Sequence, residues 1–145
     1  MTAPNTPPDD AHDVNLQTPL LVSLGAASLA IASAFMIMIG IQLTLSFSSF
    51  ADWALILVIS YFLTGAAGMV SAIMLAKGSF IASISGLLCA LCFLALFWTP
   101  TLFGLFAFSM LGCVGFSGIS TLLVGVSIPM TRSLAKKREA FFDSI

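Results

Sequence analysis

Read from one end to the other, the chain alternates long apolar stretches with brief polar interruptions. The charged positions mark the interruptions: Asp9, Asp10 and Asp13, then Asp52, Lys77, Arg132, Lys136, Lys137, Arg138, Glu139 and Asp143. The uncharged intervals 14–51, 53–76 and 78–131 contain 38, 24 and 54 residues. A helix crosses a hydrocarbon core with about 20 residues, at about 1.5 Å each. The first two intervals therefore hold one span each and the third holds two. Trp98-Thr99-Pro100-Thr101 supplies the turn in the third, because Pro100 lacks an amide hydrogen and disfavours helix at the residue before it. The pattern predicts helices near 20–45, 53–76, 80–98 and 102–128, with Pro129 ending the fourth.

Strands are ruled out by these lengths. Lipid-facing backbone groups must find their partners within the segment, and a barrel would show runs of about ten residues with alternating polarity. The expected fold class is an all-α integral membrane protein, with four transmembrane helices in an antiparallel bundle, short loops and a C-terminal amphipathic interfacial helix. Residues 1–18 form a polar tail with three prolines and three aspartates, 19–129 the transmembrane domain, and 130–145 a basic amphipathic segment. In that last segment Met130, Leu134 and Phe141 share one helical face, while Arg132, Lys136 and Arg138 project away from it. With Lys137 these basic residues are the expected membrane-surface anchors, attracted to anionic headgroups.

All five Lys and Arg fall on one side of such a bundle, Lys77 between spans two and three and the other four after span four. The positive-inside rule then places both termini in the cytoplasm, in a bacterial inner membrane or its equivalent. Asp52 falls on the other side, with an aromatic girdle of Phe47, Phe50, Trp53, Phe97, Trp98 and Phe103. The first apolar run is longer than the 7–15-residue core of a cleavable signal, and no Lys or Arg precedes it.

Composition changes this picture only by closing off alternatives. The chain has 145 residues, 59% hydrophobic and 8% charged, and a mean hydropathy of +1.12. A soluble domain is about half apolar and about a quarter charged. Soluble enzymes and disordered chains do not fit, and five Lys+Arg against six Asp+Glu leave no basic surface for nucleic acid.

Candidate chemistry is sparse. No Asp, Glu, Lys, Arg or His lies in a predicted span, and such groups are the usual mark of proton relays and coupled transport. Gln42 is the only side-chain amide at membrane depth, toward the end of span one. Cys89 and Cys92 form a Cys-x-x-Cys pair that suggests a dithiol. The third cysteine, Cys113, lies in span four, so there is no second pair to pass electrons onward. The single histidine, His12, is in the tail beside Asp10 and Asp13, where a solvated segment explains it better than a metal site. No cofactor is expected.

What remains is a pattern of small side chains, which let lipid-embedded helices approach closely. Span two carries Ser60, Thr64, Gly68, Ala72 and Ala76 at four-residue spacing, and span four carries Ser109, Cys113, Ser117, Thr121 and Gly125. Gly104, Gly112, Gly115 and Gly118 add flat surface to span four. Span three has Ala82, Gly86 and Ala90; span one has Ser28, Ala32 and Gly40. Packing inside the bundle accounts for part of this surface, and docking onto another membrane protein for the surplus. The expected function is a non-catalytic accessory or scaffold subunit of a larger membrane complex, with the bilayer and that complex, or further copies of the chain, as partners. An oligomeric pore or small-solute channel of the holin-like kind is the alternative, and a thiol- or quinone-linked membrane enzyme is the third reading.

Overall fold

A computed structural model describes residues 18–46, 52–96 and 107–143. Four helices occupy them: α1 Leu20–Ser46, α2 Asp52–Ala76, α3 Phe80–Leu96 and α4 Ala107–Phe142. Three of these, α1, α2 and α4, are long and apolar enough to cross a membrane, whereas α3 is apolar but shorter, at 17 residues. The tail before Thr18, the Trp98–Thr101 turn, and Phe47, Phe50, Phe97, Trp98, Phe103 and Gly104 of the expected features lie outside the described residues.

Local chemistry explains the one described turn. The amide of Gly78 donates to the Leu75 carbonyl at 2.8 Å and that of Ser79 to the Met74 carbonyl at 3.2 Å. With Gly78 at φ +76°, this pair of bonds is a Schellman cap, which needs a left-handed residue that glycine supplies without a steric penalty. A β-carbon on Gly78 would also stand 3.1 Å from Thr18 Cγ2, so the turn is held close to the start of α1.

The helices form a ring in which α1 borders α2 and α4, and α3 borders the same two. Contacts between neighbours run in reverse order along the chain. Gly25 faces Leu123, Ser28 bonds Ser120, and Cys113 meets Met36 along α1 and α4. Ser71 bonds Ser85, and the Tyr61 hydroxyl donates to the Leu96 carbonyl, along α2 and α3.

The buried positions repeat with a 3–4 alternation. In α1 they include Val22, Ala26, Leu29, Ser33, Met36, Gly40 and Leu43; in α2, Ala54, Val58, Tyr61, Gly65, Gly68, Ala72 and Leu75. In α4 the same rhythm selects Cys113, Ser117, Ser120, Val124, Ser127, Thr131 and Leu134. An average step of 3.5 residues keeps one seam facing its neighbours along the whole helix, as in left-handed coiled coils. Two clusters fill the interior, one around Leu29, Met36, Tyr61 and Phe93 and the other around Val22, Leu75, Ala82 and Val124. The outside is apolar too: Leu45, Leu111, Ile81 and Leu122 are 73–80% exposed. An apolar exterior of this extent is foreign to a water-facing surface.

Two expectations for the C-terminal end are corrected. Pro129 does not end α4, which runs on to Phe142. A proline in a helix interior removes one hydrogen bond, here the one that would reach the Gly125 carbonyl, and costs about 3 kcal/mol. Packing on both sides of it holds the helix together, because Val124, Ser127, Thr131 and Leu134 are buried on one face while Pro129 is exposed on another. Side chains also support the backbone nearby: the Ser127 hydroxyl donates to the Val124 carbonyl at 2.7 Å, and that of Thr131 to the Ser127 carbonyl at 3.1 Å. Segment 130–142 is accordingly no separate interfacial helix but the continuation of α4, with buried Leu134 near Gly78 of the α2–α3 turn.

Candidate interface faces

Of the expected small-residue stripe on α2, Gly68 and Ala72 are buried inside the bundle and Ala76 is exposed. Gly68 is the tightest: a β-carbon there would overlap Ser33 Oγ and come 2.6 Å from Phe93 Cζ. Ala72 is buried beside it in the core. Ser60 and Thr64 are half-buried, and their hydroxyls turn back onto their own helix, donating to the Ile56 and Ser60 carbonyls at 2.8 and 2.6 Å. Gly65, which the four-residue spacing passes over, is equally close-packed, with a β-carbon position 2.8 Å from Ile37 Cγ1 and 3.2 Å from the Ser33 carbonyl oxygen.

On α4 the expected stripe divides between two faces. Cys113 and Ser117 are buried toward α1, with the Cys113 thiol donating to Met36 Sδ at 3.4 Å. Gly112 lies under the Phe35 ring, 2.8 Å from a β-carbon position to Cζ, and Phe35 stacks on Phe116. Thr121 and Gly125 are only half-buried. A β-carbon on Gly115, Gly118 or Gly125 would meet nothing within 4 Å. The side chain of Ser109 lies outside the described residues.

Helix geometry accounts for the division. Each four-residue step turns the side chain 40° beyond a full revolution, since one residue advances about 100°. Three such steps carry Gly125 about 120° away from Cys113. Ser120, Val124, Ser127 and Thr131, which a strict four-residue spacing misses, stay on the seam by alternating steps of three and four.

The seam is lined with hydroxyls. Among the described residues the buried polar side chains are all Ser or Thr: Ser28, Ser33, Ser71, Ser83, Ser117, Ser120, Ser127 and Thr131. Three hydroxyl–hydroxyl bonds join helices, Ser120 donating to Ser28 at 3.1 Å, with Ser83–Thr131 at 2.8 Å and Ser71–Ser85 at 3.0 Å. No buried side-chain nitrogen or oxygen among the described residues lacks a partner. Gln42 is half-buried in α1.

The basic residues of α4 separate in the same way. Arg132, Lys136 and Lys137 are exposed. Arg138 does not project away with them: it is half-buried, and its Nη2 donates to the Lys77 carbonyl at 3.2 Å, tying α4 to the α2–α3 turn. It falls on the same side as Leu134 because four residues again return the helix to nearly the same face.

Cys89 is half-buried and Cys92 exposed on α3, and neither is in a disulfide. Among the described residues no cluster of three or more His, Cys, Asp and Glu could hold a metal ion. Compared with protein-family models, curated proteins and solved structures, the chain matches none.

Proposed function

We propose that the chain is a four-span membrane protein, an antiparallel bundle with both termini in the cytoplasm, that serves as a non-catalytic accessory or scaffold subunit. Its docking surface is the outward face of α4, where Gly115, Gly118 and Gly125 with Thr121 present bare helix to a spanning helix of a larger membrane complex.

The observation that carries this reading is the open space at those three glycines, set against the filled space at Gly65 and Gly68. Lipid solvates Leu as well as another helix does, so tight association there depends on backbones approaching closely. Glycine in the middle of a helix costs about 0.5–1 kcal/mol relative to alanine. Three such residues on an unoccupied face are a cost that internal packing does not explain, and contact with a partner does. The absence of ionisable side chains from the predicted spans supports a structural role over coupled transport.

The test is purification from native membranes in mild detergent. A stoichiometric membrane partner is expected with the unaltered chain, and loss of that partner with Gly118→Leu/Gly125→Leu, whose own bundle stays folded. A chain that is monomeric in native membranes, or a double variant that keeps its partner, refutes the proposal.

A further inference from the structure

Arg132 occupies an unusual depth. Its neighbour Thr131 is bonded to Ser83, one turn inside α3, whereas the α2–α3 turn that marks the cytoplasmic rim ends at Ser79. Four residues of helix correspond to about 6 Å, so the Arg132 backbone lies about that far below the rim. Its side chain is exposed, and no ion pair engages it among the described residues. A guanidinium based at the edge of a hydrocarbon layer must extend toward the phosphate level and find an anion there.

Lys136, one turn nearer the cytoplasm, shares that face and is also exposed. Toward the bilayer the same face continues through exposed Pro129. Two cations thus stand one above the other on the face that carries Pro129. The other basic residues are placed differently. Lys137 points about 100° round the helix from Lys136, and Arg138 is engaged by the Lys77 carbonyl.

We propose that Arg132 and Lys136 bind the phosphate of one anionic phospholipid of the cytoplasmic leaflet, whose acyl chains descend past Pro129. Arginine provides the planar fork that matches two phosphate oxygens, and lysine the second positive charge. The site rests on the membrane reading above and lies cytoplasmic of the docking face, which ends at Gly125.

The test uses the full chain in phosphatidylcholine vesicles, with spin-labelled phosphatidylglycerol or spin-labelled phosphatidylcholine as the probe. The expected result is a preference for phosphatidylglycerol at the protein boundary of about fivefold or more, abolished by Arg132→Gln/Lys136→Gln and kept by Lys137→Gln. Circular dichroism of each variant should be unchanged, since all three side chains are exposed. No preference in the unaltered chain, or equal loss with Lys137→Gln, overturns the site in favour of diffuse attraction. Displacement by inorganic phosphate beyond that caused by sodium chloride of equal ionic strength overturns it in favour of a free-anion site. Failure of the chain to float with vesicles after carbonate washing removes the membrane reading itself, and the lipid site with it.

Discussion

Two sets of glycines on one small protein have opposite surroundings. Along α2, Gly65 and Gly68 are pressed against α1, and at Gly68 the Phe93 ring of α3 closes in as well. Along the outward face of α4, Gly115, Gly118 and Gly125 adjoin empty space. The same residue type, embedded in equally apolar sequence, is structural in one place and surplus in the other. The difference shows that small side chains report a close approach without naming the neighbour. Where the bundle itself supplies no neighbour, the proposed partner helix is what would fill the space.

The sharpest way to break this comparison is Gly68→Val. With Ser33 Oγ and the Phe93 ring already at the β-carbon position, the branched side chain forces apart three helices, and a loss of about 3 kcal/mol is expected in reversible unfolding by detergent titration. Gly65→Ala should cost less, about 1–2 kcal/mol by the same titration. The Ile37 side chain can give way there, although the Ser33 carbonyl oxygen at 3.2 Å cannot. Thr131→Val removes the hydroxyl bonded to Ser83 while keeping the shape, and about 0.6 kcal/mol is expected. Gly118→Ala should leave stability unchanged or raise it by up to about 0.5 kcal/mol, while weakening partner retention during purification. Should Gly118→Ala destabilise the isolated chain as much as Gly65→Ala, the two sets of glycines are alike and the docking face is lost.

The division of α4 was only partly legible in the residues. Three of the four helices follow from the spacing of charges, because a single Asp52 or Lys77 between apolar runs leaves little choice of boundary. The end of α4 is not legible from Pro129 alone, because the packing of Thr131 and Leu134 offsets the proline's local cost. The place of Arg138 is hidden for a related reason: its partner, the Lys77 carbonyl, is 61 residues away in the chain. On the candidate faces, four-residue spacing found Gly68, Cys113 and Ser117 but passed over Gly65, Ser120 and Ser127. A fixed step of four rotates around the helix, and the 3–4 alternation that would have followed the seam is weakly marked where Ser, Gly and Ala fall on several faces at once.

The buried hydroxyls have a consequence for how such a protein is built. Ser28, Ser33, Ser127 and Thr131 each donate to a carbonyl three or four residues earlier in their own helix. A helix carrying its polar groups in that state is chemically complete before it meets any other. On the proposed membrane reading, each segment enters lipid alone and docks afterwards in any order, with the cross-helix bonds forming last as a check on alignment.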